Sequence, residues 1–337
     1  MIYPKFLKDN DTIGVPAPSA GADKKPRKNR YKKAIEFFEN NGYKLEISKN
    51  IYSDYMTRSA DKVTRGKEIN DMFKDKDIDF ILCAAGGEFL VECLPYVDFD
   101  LIKNNPKFVA GFSDPTGILF PITTKYDIAT IYGQNFSSFG REKLSKSVYD
   151  FLDLMKGNRF DFKSYSLYEL EEKEKVTGLE PLNLTKKVKW KTLDDKDVNI
   201  EGRIIGGCFD LISELIGTKY DGMKEFNEKY KNDGIIWFFD NCELSMEETI
   251  RVLWRMNEFG YFKYCKGIIL GRFGVESSNL GYNLKDCLND SILKELNIPV
   301  IYDADISHKA QCLPILVGSI AKVSCIKNKG TISFEMK

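Results

Sequence analysis

The sequence predicts an α/β protein: an N-terminal domain on a parallel sheet with helices on both faces, then a C-terminal α/β domain. Three observations predict it. Up to about residue 135, short apolar runs bounded by glycine or proline alternate with segments whose apolar residues recur at helical spacing. Of the 337 residues, 43% are hydrophobic and 13% aromatic, enough for a substantial core. After a charge-rich stretch over residues 156–201, the alternation of strand-like and helical segments restarts. Strands separated by helical segments of this length imply parallel βαβ units.

Taken in order, TIGVPAPS (12–19) reads as a β run broken by prolines. The next segment carries Tyr31, Ile35 and Phe38 at helical spacing and stops at Gly42. KLEISKNI is strand-like, and Val63, Ile69, Met72 and Phe73 mark a second helix. IDFILCAAGG (78–87) is a buried strand running into two glycines, FVAGFSD is the next strand and DIATIYGQN (127–135) another. Residues 156–201 have no long apolar run and read as a connecting region with short strands. GRIIGGCFDLISELIGT (202–218) is a strand, a glycine turn and a helix; GIIWFFDNCELS (234–245) is an apolar strand ending on Asp240. Ser245 and Glu248 then form a capping-box pattern opening a helix. KGIILGRF is a further strand, IPVIYDADISHKA leads to His308, and the tail alternates like a β-hairpin. The expected division is an N-terminal domain over 1–160, a connecting segment over 161–200 and a C-terminal domain over 201–337.

Fifty basic and fifty acidic residues cancel, which argues against nucleic acid or an anionic membrane as the main partner. No segment approaches the ~20 continuous apolar residues of a membrane span, and the N-terminus does not read as a secretory signal. The eight cysteines are scattered without a CxxC pair, several inside apolar runs. The expectation is a cytoplasmic protein with reduced, buried thiols, no metal site and no cofactor.

Ligands of parallel α/β sheets gather beyond the carboxyl ends of the strands, where Ser19, Gly86–Gly87, Ser113 and Asp114 fall. Ser113 follows a strand with a glycine two residues before it, the logic of a nucleophile elbow, although Pro115 excludes the full G-x-S-x-G pattern. A serine hydroxyl needs a base, and His308, the one histidine in the chain, stands in a polar turn just past a strand. Asp240 at a strand end is placed to orient an imidazole. The backbone amides of Gly87 and Asp114 are candidate oxyanion donors. Each feature alone has an ordinary structural explanation; together they supply nucleophile, base, orienting acid and oxyanion donors.

In the order and spacing of DTIGVPAPS, ILCAAGGEFLVECLPYVDFD, GFSDPTGIL, EGRIIGGCFDLISELIGT, IIWFFDN and DISHKAQCLPILVGSIAKV, the chain resembles the LD-carboxypeptidase family of serine peptidases, which includes the microcin C immunity peptidases. The resemblance implies a two-domain hydrolase, often a homodimer, with its active site between the domains and a Ser, acid, His triad in chain order. Mapped by motif, the serine is Ser113 and the histidine His308. Where the family ends its apolar strand on glutamate this chain has Asp240, roughly 1.5 Å shorter, with Glu243 as an alternative acid. The implied substrate is an amide beside a free carboxylate, foremost a cytoplasmic murein tetrapeptide losing its terminal D-alanine. A microcin C-type aminoacyl-nucleotide analogue is the close alternative, with Trp190 as a candidate stacking platform, although core packing is the commoner role for one tryptophan. A non-catalytic binder of peptide or nucleotide is the reading from another class.

Overall fold

The computed structural model describes residues 1–22, 25–274, 278 and 280–337. The chain divides into two compact units. The first comprises Met1–Arg159, Glu171–Asn183 and Pro314–Leu316; the second comprises Phe160–Leu170, Leu184–Leu313 and Val317–Lys337. The charge-rich stretch is thus shared between them rather than standing apart.

In the first unit the elements run β1 (Thr12–Val15), α1 (Lys25–Asn40), β2 (Lys44–Ile47), α2 (Lys62–Lys74), β3 (Phe80–Leu82), α3 (Phe99–Asn104), β4 (Phe108–Gly111), α4 (Thr116–Tyr126), β5 (Thr130–Tyr132) and α5 (Lys146–Met155). The sheet order is β2-β1-β3-β4-β5, with β14 (Ile315–Val317) beside β5. The pairs β1–β2, β1–β3, β3–β4 and β4–β5 are all parallel. The order reverses between β1 and β3, the switch point where open α/β sheets hold ligands. Strands are shorter than the apolar runs suggest. β1 stops at Val15 because Pro16 and Pro18 have no N–H for the ladder, which frees the chain to loop toward Ser19. Two helical layers cover the sheet: α2, α3 and α4 pack in a chain, while α1 packs on a 3₁₀ turn at Phe136–Gly140. Phe38 joins that layer, its ring 5.4 Å from Phe136 and 4.6 Å from Phe139.

The second unit holds β6 (Asp161–Lys163), β7 (Leu167–Glu169), β8 (Leu184–Lys187), β9 (Lys191–Thr192), β10 (Val198–Cys208), α6 (Phe209–Leu215), α7 (Met223–Lys229), β11 (Ile235–Asp240), α8 (Met246–Glu258), β12 (Cys265–Gly271), α9 (Leu284–Asn289), α10 (Ile292–Leu296), β13 (Val300–Ala304), β15 (Ile320–Ile326) and β16 (Lys329–Glu335). Its eight-stranded sheet runs β6-β16-β15-β10-β11-β12-β13-β9. β10 to β13 are parallel neighbours, and β15, β16, β6 and β9 flank them antiparallel. All six residues of β11 are buried, so the strand reads IIWFFD without alternation, as a strand covered on both faces must. β7 and β8 form a separate two-stranded ribbon. The capping box at Ser245 and Glu248 opens α8 as the pattern requires. No helix among the described residues is long and apolar enough to cross a membrane.

Candidate active site

The first unit shapes its strand ends around Ser113. β4 ends at Gly111, and Ser113 adopts φ 70°, a left-handed conformation rare for a residue with a Cβ. Such a conformation persists only where neighbours hold it. Asn135 clamps the preceding residue with its side-chain amide, accepting from the Phe112 N–H at 2.9 Å and donating to the Phe112 carbonyl at 3.0 Å. The Ser113 N–H donates to the Tyr132 hydroxyl at 3.4 Å. After the turn, the Thr116 N–H returns to the Ser113 carbonyl at 2.9 Å and α4 begins.

Of the two glycines after β3, Gly86 lies against this turn and Gly87 against Ser19. A Cβ on Gly86 would come within 2.9 Å of the Ser113 Cβ and 3.2 Å of its Oγ. Gly87 has φ 155°, and a Cβ there would meet the Ser19 hydroxyl at 2.3 Å. Only glycine lets the backbone pass so close. The Gly87 and Asp114 amides donate to no other described residue, so both are open to an incoming acceptor. The Asp114 carboxylate is fully buried, accepting from the Ser19 hydroxyl in a short bond and from the Leu90 N–H at 3.0 Å. Burial pushes its pKa up to about 6, against these hydrogen bonds, which pull it down.

The second unit brings Asp240 and His308 together. Asp240 is fully buried at the end of β11, and its Oδ1 meets the His308 Nδ1 at 2.9 Å. The same oxygen accepts the His308 backbone N–H at 3.0 Å. This second bond draws the loop itself onto the carboxylate, which makes up for the methylene that aspartate lacks. Burial of the ring lowers its pKa, but the charge and hydrogen bond of Asp240, joined by Cys242, outweigh that and hold it well above the ordinary histidine value. With Nδ1 on the carboxylate, Nε2 is the ring nitrogen that a proton-transfer role would use.

Two networks fix this pair. Asp210, in the first turn of α6, accepts the Cys242, Glu243 and Leu244 amides at 3.0, 2.9 and 3.0 Å and so pins the turn after β11. Glu243 is therefore exposed on a turn held by its backbone, and the acid on the imidazole is Asp240. On the other side, Arg272 donates to Asp305 at 2.5 Å and to the Lys309 and Gln311 carbonyls at 2.9 and 2.7 Å, bracing the His308 loop. Trp190 is fully buried and its Nε1–H donates to Asp305 at 3.0 Å. A buried indole offers no face to a base, so Trp190 takes the core-packing role that is the usual one for a single tryptophan rather than a stacking one. Asn135, Asp210 and the Arg272–Asp305 pair escape sequence reasoning, since each acts on a backbone segment distant in sequence. The one signal was an Asn or an acid at a strand or helix end. The cysteines are free thiols, and no His/Cys/Asp/Glu group suited to a metal occurs among the described residues.

Comparison with known proteins identifies the family. Residues 13–133 match the LD-carboxypeptidase N-terminal domain and residues 201–323 the LD-carboxypeptidase C-terminal domain. The chain belongs to the LD-carboxypeptidase family. A putative carboxypeptidase of Vibrio cholerae is 27% identical, covering 99% of this chain and 96% of that protein. The microcin C7 self-immunity protein MccF of Escherichia coli is 28% identical, covering 93% and 90%. A probable murein peptide carboxypeptidase of Bacillus subtilis is 22% identical, covering 98% and 93%. Among solved structures, an MccF-like protein from Bacillus anthracis superposes with a TM-score of 0.83 at 24% identity over the whole of both chains. MccF itself gives 0.81 at 25% identity, covering 99% of this chain and 98% of that one. The mixed α/β, two-domain fold is thus that of the family, and the family is one of serine peptidases.

Proposed function

We propose that the chain is a serine hydrolase of amide bonds adjacent to a free carboxylate, with Ser113 as nucleophile, His308 as base and acid, and Asp240 orienting the ring. The observation that carries this reading is the bond between the buried Asp240 carboxylate and the chain's one imidazole. His308 Nε2 takes the Ser113 proton as Oγ attacks the scissile carbonyl. The Gly87 and Asp114 amides receive the oxyanion of the tetrahedral intermediate. His308, now an imidazolium stabilised by Asp240, protonates the leaving amine. Water, deprotonated by the same nitrogen, releases the acyl group and regenerates Ser113.

The first substrate reading is a murein tetrapeptide losing its terminal D-alanine, supported by likeness to the murein peptide carboxypeptidase along nearly the full chain. The second is a microcin C-type aminoacyl-nucleotide analogue, favoured by the likeness to MccF, whose solved structures include complexes with aspartyl sulfamoyl adenosine and glutamyl sulfamoyl guanosine. Assaying a murein tetrapeptide and an aminoacyl sulfamoyl adenosine side by side, with Ser113→Ala as control, separates the two. Turnover of neither, with ligand binding intact, overturns the hydrolase reading in favour of a binder.

A further inference from the structure

The two amides that would receive the oxyanion differ in what holds them. The Asp114 N–H sits in a turn closed by the Asn135 clamp on Phe112 and by the Thr116 N–H. The Gly87 N–H belongs to a pair of glycines, the residues with the widest choice of backbone angles, and it donates to no other described residue. An oxyanion donor is effective only when it is aimed before the charge develops. The direction of this N–H therefore has to be imposed by neighbouring segments.

Two segments do so. Ahead of the glycines in sequence, the Ala20 N–H donates to the Gly86 carbonyl at 3.3 Å. A Cβ on Gly87 would come within 2.3 Å of the Ser19 hydroxyl and 3.0 Å of the Ala20 nitrogen, so residues 19–20 pack directly on Gly87. Just after the glycines come Phe89 and Leu90. Arg65, buried in α2, joins the two segments: its Nη1 donates to the Pro18 carbonyl at 2.8 Å and to the Phe89 carbonyl at 2.9 Å. Its Nη2 donates to Glu92 at 3.1 Å, and Glu92 is itself gripped by Arg58 through two bonds of 2.7 Å. The Asp114 carboxylate makes the complementary link, accepting from the Ser19 hydroxyl and the Leu90 N–H. One cation on two carbonyls and one carboxylate on two donors thus fasten residues 18–19 to residues 89–90.

Burying a guanidinium is costly unless its charge and its donors are answered. Glu92 answers the charge, and the two carbonyls place the remaining bonds on either side of Gly87. We propose that Arg65 is a positioning residue for the proposed hydrolysis: its grip on the Pro18 and Phe89 carbonyls aims the Gly87 N–H at the oxyanion. The inference rests on the hydrolase reading and adds to it a residue that acts only through the backbone. Nothing in the sequence pattern marks Arg65, because both of its carbonyl partners lie in other segments.

Steady-state kinetics on whichever amide the parent turns over, read beside urea denaturation, test the proposal. Arg65→Met keeps an apolar stem and loses both carbonyl bonds. Its kcat per folded molecule should fall about a hundred-fold with KM within about threefold of the parent. Arg65→Lys keeps the charge on a shorter side chain that can serve one carbonyl, and should lose about tenfold in kcat. A merely structural arginine would lower the urea midpoint and leave the kcat of the folded molecules at the parent's value. That result in either variant overturns the proposal, as does a loss confined to KM; should Arg65→Met not fold, Arg65→Lys decides alone. A parent that turns over no amide brings down the hydrolase reading and this inference with it, whereas an active parent with equally active variants brings down this inference only.

Discussion

The strand ends at Ser113 and Asp240 meet the same demand, a polar group beyond a buried strand, by opposite means. At Ser113 the structure works through the backbone: a left-handed serine, Gly86 packed against it, Gly87 packed against Ser19, and two amides left open. At Asp240 it works through side chains: a fully buried carboxylate binds a ring and that ring's own amide. The difference teaches where each region is vulnerable. Added bulk disturbs the first, since its geometry depends on missing Cβ atoms; removal of charge disturbs the second, since its geometry depends on a carboxylate no water can replace.

The largest effect should come from the reacting groups. Ser113→Ala is expected to abolish labelling by a fluorophosphonate probe and to lower kcat by about a million-fold on whichever amide is turned over. Asp240→Asn should lower kcat by about ten-thousand-fold, because the amide favours the wrong tautomer. Its pH profile sharpens the comparison. In the parent, the ascending limb of kcat/KM lies well above 6.5, since the base must be neutral and Asp240 favours its charged form. In Asp240→Asn that limb moves to lower pH, because burial alone then acts on the ring. An unmoved limb would break the assignment of His308 as the base.

Gly87→Ala tests the backbone side. Its methyl would collide with the Ser19 hydroxyl, so kcat should fall about a hundred-fold with KM little changed. Adding Ser19→Ala removes that clash and should restore part of the loss, which a merely unfolded variant would not show. Smaller still is Trp190→Phe, which deletes one donor to the buried Asp305 and should cost about 1 kcal/mol in urea denaturation. A further effect on stability concerns Asp114. Its folded pKa of about 6 exceeds the ordinary 3.8, so its contribution to stability is fully present below about 3.8 and is lost as pH rises through about 6. In Asp114→Asn the fall of stability with pH over that window should flatten.

Much of this was legible in sequence because it is local. The helical spacing of Tyr31, Ile35 and Phe38, the Ser245–Glu248 cap and the hairpin of the tail all lie within helices and strands of the expected type. The strands end before the apolar runs do, since Pro16, the small residues and glycine pair after β3 and the Gly133–Gln134 turn after β5 stop a ladder before hydrophobicity stops. The stretch at 156–201 hid β6 and β9 because edge strands are short and exposed, with little pattern to see.

By itself the sequence determined the candidate residues for the proposed chemistry, the alternation that makes an α/β fold and the family motifs, because these depend on residue type and on neighbours along the chain. Tertiary structure alone decided that Asp240 rather than Glu243 meets the imidazole, that Trp190 is sealed under Asp305, and that the sheet order reverses beside Ser19 and the glycine pair. The physical reason is distance along the chain. His308 and Asp240 are 68 residues apart, Trp190 and Asp305 115. No local periodicity specifies which buried donor will satisfy which buried acceptor; burial forces a partner on each, and the packing of whole strands chooses it.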